Sequence, residues 1–292
     1  MNVIKPSFEI ITEENPLLKI ELCGRVCYKS EDKMTVDSSE RFVKSLIKRG
    51  HESVLEHAEF IVKCDSNDAG IFDMVCEAIE RCYGERIMLR STQSGTRNII
   101  SGNVRMWRDF MRQCGKLQVK PRLLTLFSGV LFDDVNPTIK TEETTATFIC
   151  KESLQGKEVD VHRTETVRLI VDRGVSHEIV RHRVASYSQE STRYCNYGGG
   201  VTFITPPYAS YEWYKAMEYA EKAYIRMIEK GMKPQEARSV LPNSTKTELI
   251  MTTNIENWKH FFELRTATAA HPQMREIAIP LSEEMKKIYE KE

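Results

Sequence analysis

Residues 181–194 read Arg-His-Arg-Val-Ala-Ser-Tyr-Ser-Gln-Glu-Ser-Thr-Arg-Tyr. Guanidinium groups, an imidazole, hydroxyls and an amide beside a carboxylate make this stretch too polar for a core and too ordered for a linker. Arginine forks bind phosphate or carboxylate oxygens in pairs, and Ser, Thr and Gln can complete the shell around an anionic, heterocyclic ligand. A small phosphorylated substrate fits that inventory. Taken as a bare triplet, Arg181-His182-Arg183 suits a solvated basic turn or a nucleic-acid contact about as well as a ligand site.

A second polar cluster is His51-Glu52-Ser53-Val54-Leu55-Glu56-His57. A zinc-protease helix needs His-Glu-x-x-His so that both imidazoles share one face; here the histidines are six apart and would splay. No metal site is expected, and by spacing alone two capping or partly buried histidines are the better reading. Two more stretches carry polar groups on helical patterns: Ala-Arg-Ser-Val-Leu-Pro at 237–242 and Thr-Thr-Asn-Ile-Glu-Asn-Trp-Lys-His-Phe-Phe-Glu-Leu-Arg at 252–265. Arg238 could merely decorate a helix end, and Ile255, Trp258, Phe261, Phe262 and Leu264 read as the buried side of a helix.

The four stretches together resemble the flavin-dependent thymidylate synthases. Their signature is usually written Arg-His-Arg-x-x-Ser-x-Asn-Glu-x-Ser-x-Arg-Tyr. Here Arg181, His182, Arg183, Ser186, Ser191, Arg193 and Tyr194 match in register, with Ser188 and Gln189 where Asn and Glu are usual. The His51 stretch is similar to the family's His-Glu-[Thr/Ser]-x-x-Glu-His, and 237–242 to its Ala-Arg-x-Val-Leu-Pro. The resemblance implies methylation of dUMP to dTMP, with methylenetetrahydrofolate as carbon donor, FAD as hydride carrier and NADPH as reductant. It implies a homotetramer with active sites between subunits.

Carried over residue by residue, it assigns Arg181, Gln189, Ser191, Arg193, Arg238 and Arg265 to dUMP. Ser191 and Arg265 are the catalytic pair, Arg265 facing the pyrimidine and stabilising negative charge on its carbonyl. His51, Ser53, Glu56, His182, Arg183, Asn254 and His260 are assigned to FAD. Glu256 stands where some members have a flavin-contacting Arg. Gln189 offers a donor and an acceptor where a carboxylate would only accept, and could still pair with a uracil edge. Conventional thymidylate synthases attack the pyrimidine with a cysteine in a Pro-Cys context, and no cysteine here follows a proline.

Positioning these groups requires a sheet with helices. Strands are expected at 8–12, 58–64, 145–150, 167–172 and 201–205, and helices at 17–28, from Asp37 to Gly50, at 177–183, from Ser210 to Gly231 and at 234–241. Asp37 with Glu40 looks like a capping box. Residues 186–194 would then be a loop wrapped round the substrate. The last third reads as helices, with Pro280 kinking or splitting the final one. The expected class is α+β: one mixed sheet, built from the N-terminal strand, the strands flanking residues 67–163 and the segment near Val201, packed against mostly C-terminal helices. The whole chain, 1–292, reads as a single domain.

Residues 67–163 read as a mostly helical insertion, with helices near 67–83 and 103–114. The Arg90–Arg97 stretch and Ser101-Gly102-Asn103 read as loops outside the site. Because its ends could be rejoined by a short turn, the insertion is expected to cap or extend the subunit rather than supply catalytic groups.

The chain has 292 residues, 41% hydrophobic, with 42 Lys and Arg against 42 Asp and Glu, so a general polyanion binder is disfavoured and nucleic acid is not the expected partner. No apolar run would span a bilayer and no leader is evident, so no membrane partner and a cytoplasmic location are expected. The eight cysteines lack any Cys-x-x-Cys pair and suit reduced thiols. There is neither a Gly-x-Gly-x-x-Gly after a strand nor a Walker loop. Two alternatives stay open: a flavoenzyme on the same scaffold running a different pyrimidine reaction, suggested by Ser188-Gln189, and a nucleic-acid-binding protein using the arginine-rich stretch.

Overall fold

A computed structural model describes residues 1–65, 77, 89–94, 97–118, 122–135 and 146–289. The N-terminal part runs β1 (Asn2–Ile4), β2 (Ser7–Ile11), α1 (Pro16–Val26), α2 (Ser38–Lys48), a 3₁₀ turn (Glu52–His57) and β3 (Glu59–Asp65). Then come β4 (Arg90–Ser94), β5 (Arg97–Asn103), α3 (Val104–Leu117), β6 (Thr147–Phe148) and α4 (Lys157–His162). The remainder is β7 (Thr164–Asp172), α5 (Arg173–Ile179), β8 (Ser186–Gln189), β9 (Thr202–Ile204), α6 (Tyr211–Glu229), α7 (Pro234–Ala237), β10 (Lys246–Asn254), α8 (Ile255–Arg265) and α9 (Pro272–Tyr289).

The architecture is α+β, but the described strands form three sheets rather than one. The central sheet is antiparallel in the order β2-β7-β10-β8, with β7 and β10 paired along their full length from Lys246 opposite Asp172 to Asn254 opposite Thr164. β3 belongs to a second sheet, β4-β5-β3-β6. The Val201 segment contributes β9, which pairs in parallel with β1 as a two-stranded ribbon.

Three strands run straight into a helix, and each time the last strand residue is the cap. Asn103 Oδ1 accepts from Met106 N at 2.9 Å, Asp172 Oδ1 from Val175 N at 2.7 Å, and Asn254 Oδ1 from Asn257 N at 3.2 Å. Such a side chain satisfies an amide that the first helical turn cannot, and is worth about 1 kcal/mol. Asn15 does the same for α1, with Pro16 at the first helical position. Capping by Asp172 also moves the helix expected at 177–183 back to α5, which ends at Ile179 and frees Arg181, His182 and Arg183 from helical geometry.

Other expectations change. Asp37 precedes α2 but makes no side-chain cap. Where loops were expected at Arg90–Arg97 and Ser101–Asn103, residues Arg90–Ser94 and Arg97–Asn103 pair antiparallel as β4 and β5. The helix expected near 67–83 lies outside the described residues. The last third contains β10, whose nine residues are all buried. α9 continues through Pro280, which is exposed, while Ile277, Ala278, Leu281 and Met285 pack both halves from the other side. Leu264 is exposed at 48% and does not join the buried face of α8.

One apolar core lies among α1, α2, β3 and α3 around Trp107, Phe110 and Phe127; a second joins β7 and β10 to α8 and α9 around Trp258 and Phe261. A Cβ at Gly24 would come within 2.8 Å of the Phe42 ring, so glycine there lets α1 and α2 close and sets the end of α1 against the polar stretch that follows β8.

Candidate functional site

β8 divides the arginine-rich stretch by its pleat. Successive side chains point to opposite faces of a strand. Ser186 and Ser188 turn toward the 3₁₀ turn, where Ser186 Oγ donates to Glu56 Oε2 at 3.1 Å and Ser188 Oγ lies 2.9 Å from His57 Nε2. Tyr187 and Gln189 turn toward α5. The Tyr187 hydroxyl donates to the carbonyls of Ile179 and His182, at 3.0 and 2.7 Å, and so shapes the Arg-His-Arg turn. Gln189 Nε2 donates to Ser176 Oγ at 2.9 Å and Thr247 Oγ1 at 3.2 Å, and its carbonyl oxygen has no partner among the described residues. The expected substrate loop is thus half strand, and the expected residues fall into three neighbourhoods.

The first holds Ser191, Arg193 and Arg238. Ser191 N donates to Cys27 O at 3.0 Å, which ties the stretch to the end of α1, and Tyr28 packs on Tyr194 with centroids 5.3 Å apart. The Arg193 guanidinium lies over the Tyr194 ring and its Nε donates to Gln235 Oε1 at 3.3 Å, while Arg238 reaches Thr192 Oγ1 at 3.5 Å. Both arginines are exposed, and among the described residues most of their donors have no partner.

The second neighbourhood holds His182, Arg265 and His260. Arg265 Nε donates to His182 Nε2 at 2.9 Å, and its two terminal nitrogens donate to Glu178 Oε2 and Glu178 O, each at 3.0 Å. Glu178 pairs with Arg265, and Arg181 is exposed with no partner among the described residues. Burial, then Arg265, then His260 bring the His182 pKa down to about 4, so the ring is neutral near pH 7 and Nε2 can accept. His260 is exposed, its ring 6.1 Å from that of His182.

The third is a cleft of about 360 Å³ bounded by the 3₁₀ turn, β8, β10 and α3. Glu56, Arg183, Ser186 and Asn257 line it, together with Arg90 and Arg105. The Arg183 guanidinium, exposed, makes no hydrogen bond or ion pair among the described residues. Asn254 is buried as the α8 cap, with Nδ2 on Val161 O at 3.1 Å, and Asn257, one turn on, faces the cleft in its place. His51 and Ser53 stand exposed at the start of the 3₁₀ turn. Asn257 could have been found from the sequence, because it sits one turn beyond a motif residue. Arg105 lies in a segment that carries no motif, and no sequence signal points to it; Arg90 and Asn103 belong to the stretches, rich in groups that bind anions, that were expected to lie outside the site, and the structure places both at the cleft.

The thiols nearest the stretch are poor nucleophiles. Burial raises the Cys27 pKa and pushes Cys195 up to about 11. Among the described residues no cluster of His, Cys, Asp and Glu is arranged to hold a metal.

Two further histidines act as internal pins. His57, fully buried, joins Thr252 Oγ1 at 2.8 Å to Ser188, and His162 joins Thr92 to Ser101. Burial lowers their pKa values to about 3 and about 4 from 6.5. Because these folded values lie below the unfolded one, the stabilisation is complete above about pH 6.5 and is lost as the pH falls toward 4, where only the unfolded chain takes up protons. Between pH 7.5 and 5, His57 alone should cost about 2 kcal/mol. Urea unfolding at the two pH values should show this drop; equal stabilities would mean that His57 is not held neutral.

The family model described as thymidylate synthase complementing protein matches residues 9–73 and 154–290. A flavin-dependent thymidylate synthase of Geobacter sulfurreducens is 31% identical over 163 residues, which cover 53% of this chain and 70% of that protein. One from Pyrococcus furiosus is 38% identical over 121 residues, 38% of this chain and 50% of that protein, so the match spans half the length of that relative. Among solved structures, the UMP/dUMP methylase PolB from Streptomyces cacaoi, bound with 5-Br UMP, aligns with 98% of this chain and 92% of its own at a TM-score of 0.43 and 15% identity; so loose a likeness carries no argument.

Proposed function

The chain belongs to the flavin-dependent thymidylate synthase family, and from that premise we propose that it methylates dUMP to dTMP, using FAD as cofactor, methylenetetrahydrofolate as carbon donor and NADPH as reductant. The observation that carries this reading is the placement of Arg193 and Arg238. They are far apart in sequence, yet both reach the turn around Thr192 with donors facing solvent. Two forks at one turn suit the phosphate of a nucleotide. Ser191 lies within that turn, while Arg181 and Gln189 approach from the α5 side.

The cleft residues fit FAD. Arg183 has an unused guanidinium for a phosphate, Asn257 and the hydroxyls of Ser186, Thr252 and Thr253 add donors and acceptors, and Met106 and Ala185 give apolar surface for a flat ring. When bound, the flavin supplies hydride chemistry that no side chain here can supply. The protein's part is to bind, to orient and to place charge. Arg265 is held so that its remaining N–H groups can face a pyrimidine carbonyl. His182 is held neutral beside it.

Arg181, Arg183, Arg193, Arg238, His51, Ser53 and His260 are all exposed in the single chain. This favours a homotetramer in which they close on ligand between subunits. A cytoplasmic location suits cysteines scattered without a Cys-x-x-Cys pair, and no described helix is long and apolar enough to cross a membrane.

The test is anaerobic reduction of the FAD-loaded protein by NADPH, followed by product analysis with dUMP and methylenetetrahydrofolate. Flavin bleaching with dTMP formation is expected; bleaching with a different pyrimidine product would favour another reaction on the same scaffold. In the same assay Arg193→Lys should raise the dUMP dissociation constant roughly tenfold or more. Lysine cannot reproduce a bidentate fork, and a decade is about 1.4 kcal/mol. Unchanged dUMP affinity would remove the turn from the nucleotide site.

A further inference from the structure

The segment that the family model leaves unmatched, 74–153, reaches the cleft through α3. Arg105, Arg108 and Arg112 are spaced three and four residues apart and so share one helix face. That face lies on the 3₁₀ turn. Arg108 Nη2 donates to Glu52 Oε1 at 3.1 Å and Arg112 Nη1 to Glu52 Oε2 at 2.8 Å, while Arg105 Nη1 donates to Glu56 Oε1 at 2.6 Å. Arg108 is fully buried and is itself held by Asp134, through two bonds of 2.7 Å, and by the Leu131 carbonyl. The other oxygen of Glu56 accepts from Ser186. Glu56 is therefore fixed from two sides, by a helix outside the family pattern and by a hydroxyl within its signature.

We propose that this segment is part of the cofactor site and that Arg105 is a positioning residue, which fixes the Glu56 carboxylate at the rim of the cleft and offsets its charge against an anionic dinucleotide. The proposal rests on the reading that the cleft takes FAD. A carboxylate left free beside phosphates would repel them and could rotate away from Ser186. With Arg105 in place its negative charge is compensated and both its oxygens are oriented. Asp109, also at the cleft, lies 3.7 Å from Arg105 Nε and is itself held by Arg112 Nη1 at 2.6 Å, so it adds a second, longer ion pair to Arg105. On this proposal the segment does more than cap or extend the subunit: it also shapes the cofactor site.

FAD titrations of the full chain, followed by quenching of flavin fluorescence, test this without turnover. Arg105→Ala should raise the FAD dissociation constant tenfold or more, and Arg105→Lys should recover most of the loss. Arg97→Ala, which breaks a pair with Glu158 in the same segment away from the cleft, should stay within twofold of the parent. Because Arg105 acts through Glu56, its removal in a Glu56→Gln background should cost much less than in the parent chain. Wild-type affinity in Arg105→Ala would overturn the proposal, as would the same loss in both backgrounds or a lysine variant no better than alanine with a lowered melting temperature. A parent chain that binds no FAD would defeat the assignment of the cleft itself, an outcome distinct from either.

Discussion

Replacing Arg265 with alanine should lower the rate of dUMP methylation roughly 10²- to 10³-fold, the size of effect seen when one preorganised charge-stabilising donor is removed. The guanidinium sits at the end of α8, held by Glu178 Oε2, Glu178 O and the neutral ring of His182. Those bonds use one N–H on each nitrogen and fix the plane; with Arg265 assigned to dUMP as proposed, the remaining donors need no reorganisation as charge grows on a pyrimidine carbonyl. Arg265→Lys keeps the charge but cannot make the three bonds together, and should also slow turnover. In both variants dUMP binding should weaken much less than the single-turnover rate, because the interaction strengthens only in the transition state. Equal losses in affinity and rate would place Arg265 in ground-state binding; an unchanged rate would remove it from the chemistry.

The second large effect is on stability. Lys246→Met should cost about 3–5 kcal/mol, as is usual when one partner of a buried ion pair is removed. The Glu190 side chain is completely shielded. It accepts from Lys246 Nζ at 3.0 Å, from the Tyr197 hydroxyl at 2.6 Å and from Glu248 N at 3.2 Å. Lys246 also contacts Glu248, whose other oxygen takes Arg168 Nε at 2.9 Å. Burial alone would raise the Glu248 pKa, but Lys246 and Arg168 hold it down at about 2. Without Lys246 the two carboxylates keep, among the described residues, only the half-exposed Lys29, at 3.4 Å from Glu190 and 3.6 Å from Glu248, and Arg168 on Glu248, and Glu190 loses its buried cation. Pairing Lys246→Met with Glu190→Gln should restore part of the loss, because the double variant leaves no uncompensated charge on Glu190. A single-variant cost below about 1 kcal/mol in urea unfolding would mean that other donors suffice. Since Glu190 separates Gln189 from Ser191, the same network also fixes the register at which the signature leaves β8.

What could be read from the sequence was local. The helix that Ser210 opens, the strand expected at 167–172 and the helix expected near 103–114 follow from caps and apolar spacing within a few residues, and the structure has all three, the latter two as Thr164–Asp172 and Val104–Leu117. Family membership was legible for a similar reason. The spacing of Arg181, Ser186, Ser191 and Arg193 is a property of the chain itself, independent of what packs around it.

Other features depend on groups brought together from distant parts of the chain. Lys246 and Glu248 hid β10 from a reading based on apolar runs, because charges in a fully buried strand are tolerable only once Glu190 and Arg168 are in place to pair with them. The polar run 186–189 looked like a loop until β10 supplied its ladder partners, from Leu249 opposite Gln189 to Thr252 opposite Ser186. Pro280 was read as a break, yet the packed face of α9 carries the helix past it.

The site divides in the same way. The sequence by itself determined which groups are present in the motifs: the arginines of the signature, Arg238, Arg265 and the Glu52/Glu56 pair. Only the tertiary structure decided that β8 turns Ser186 and Gln189 to opposite faces, that Arg265 rests on Glu178 and a neutral His182, and that Arg105 closes on Glu56. A motif records residue types at fixed intervals along one strand or helix, whereas each of those contacts joins elements whose separation in the chain is set by folding, and no interval encodes it.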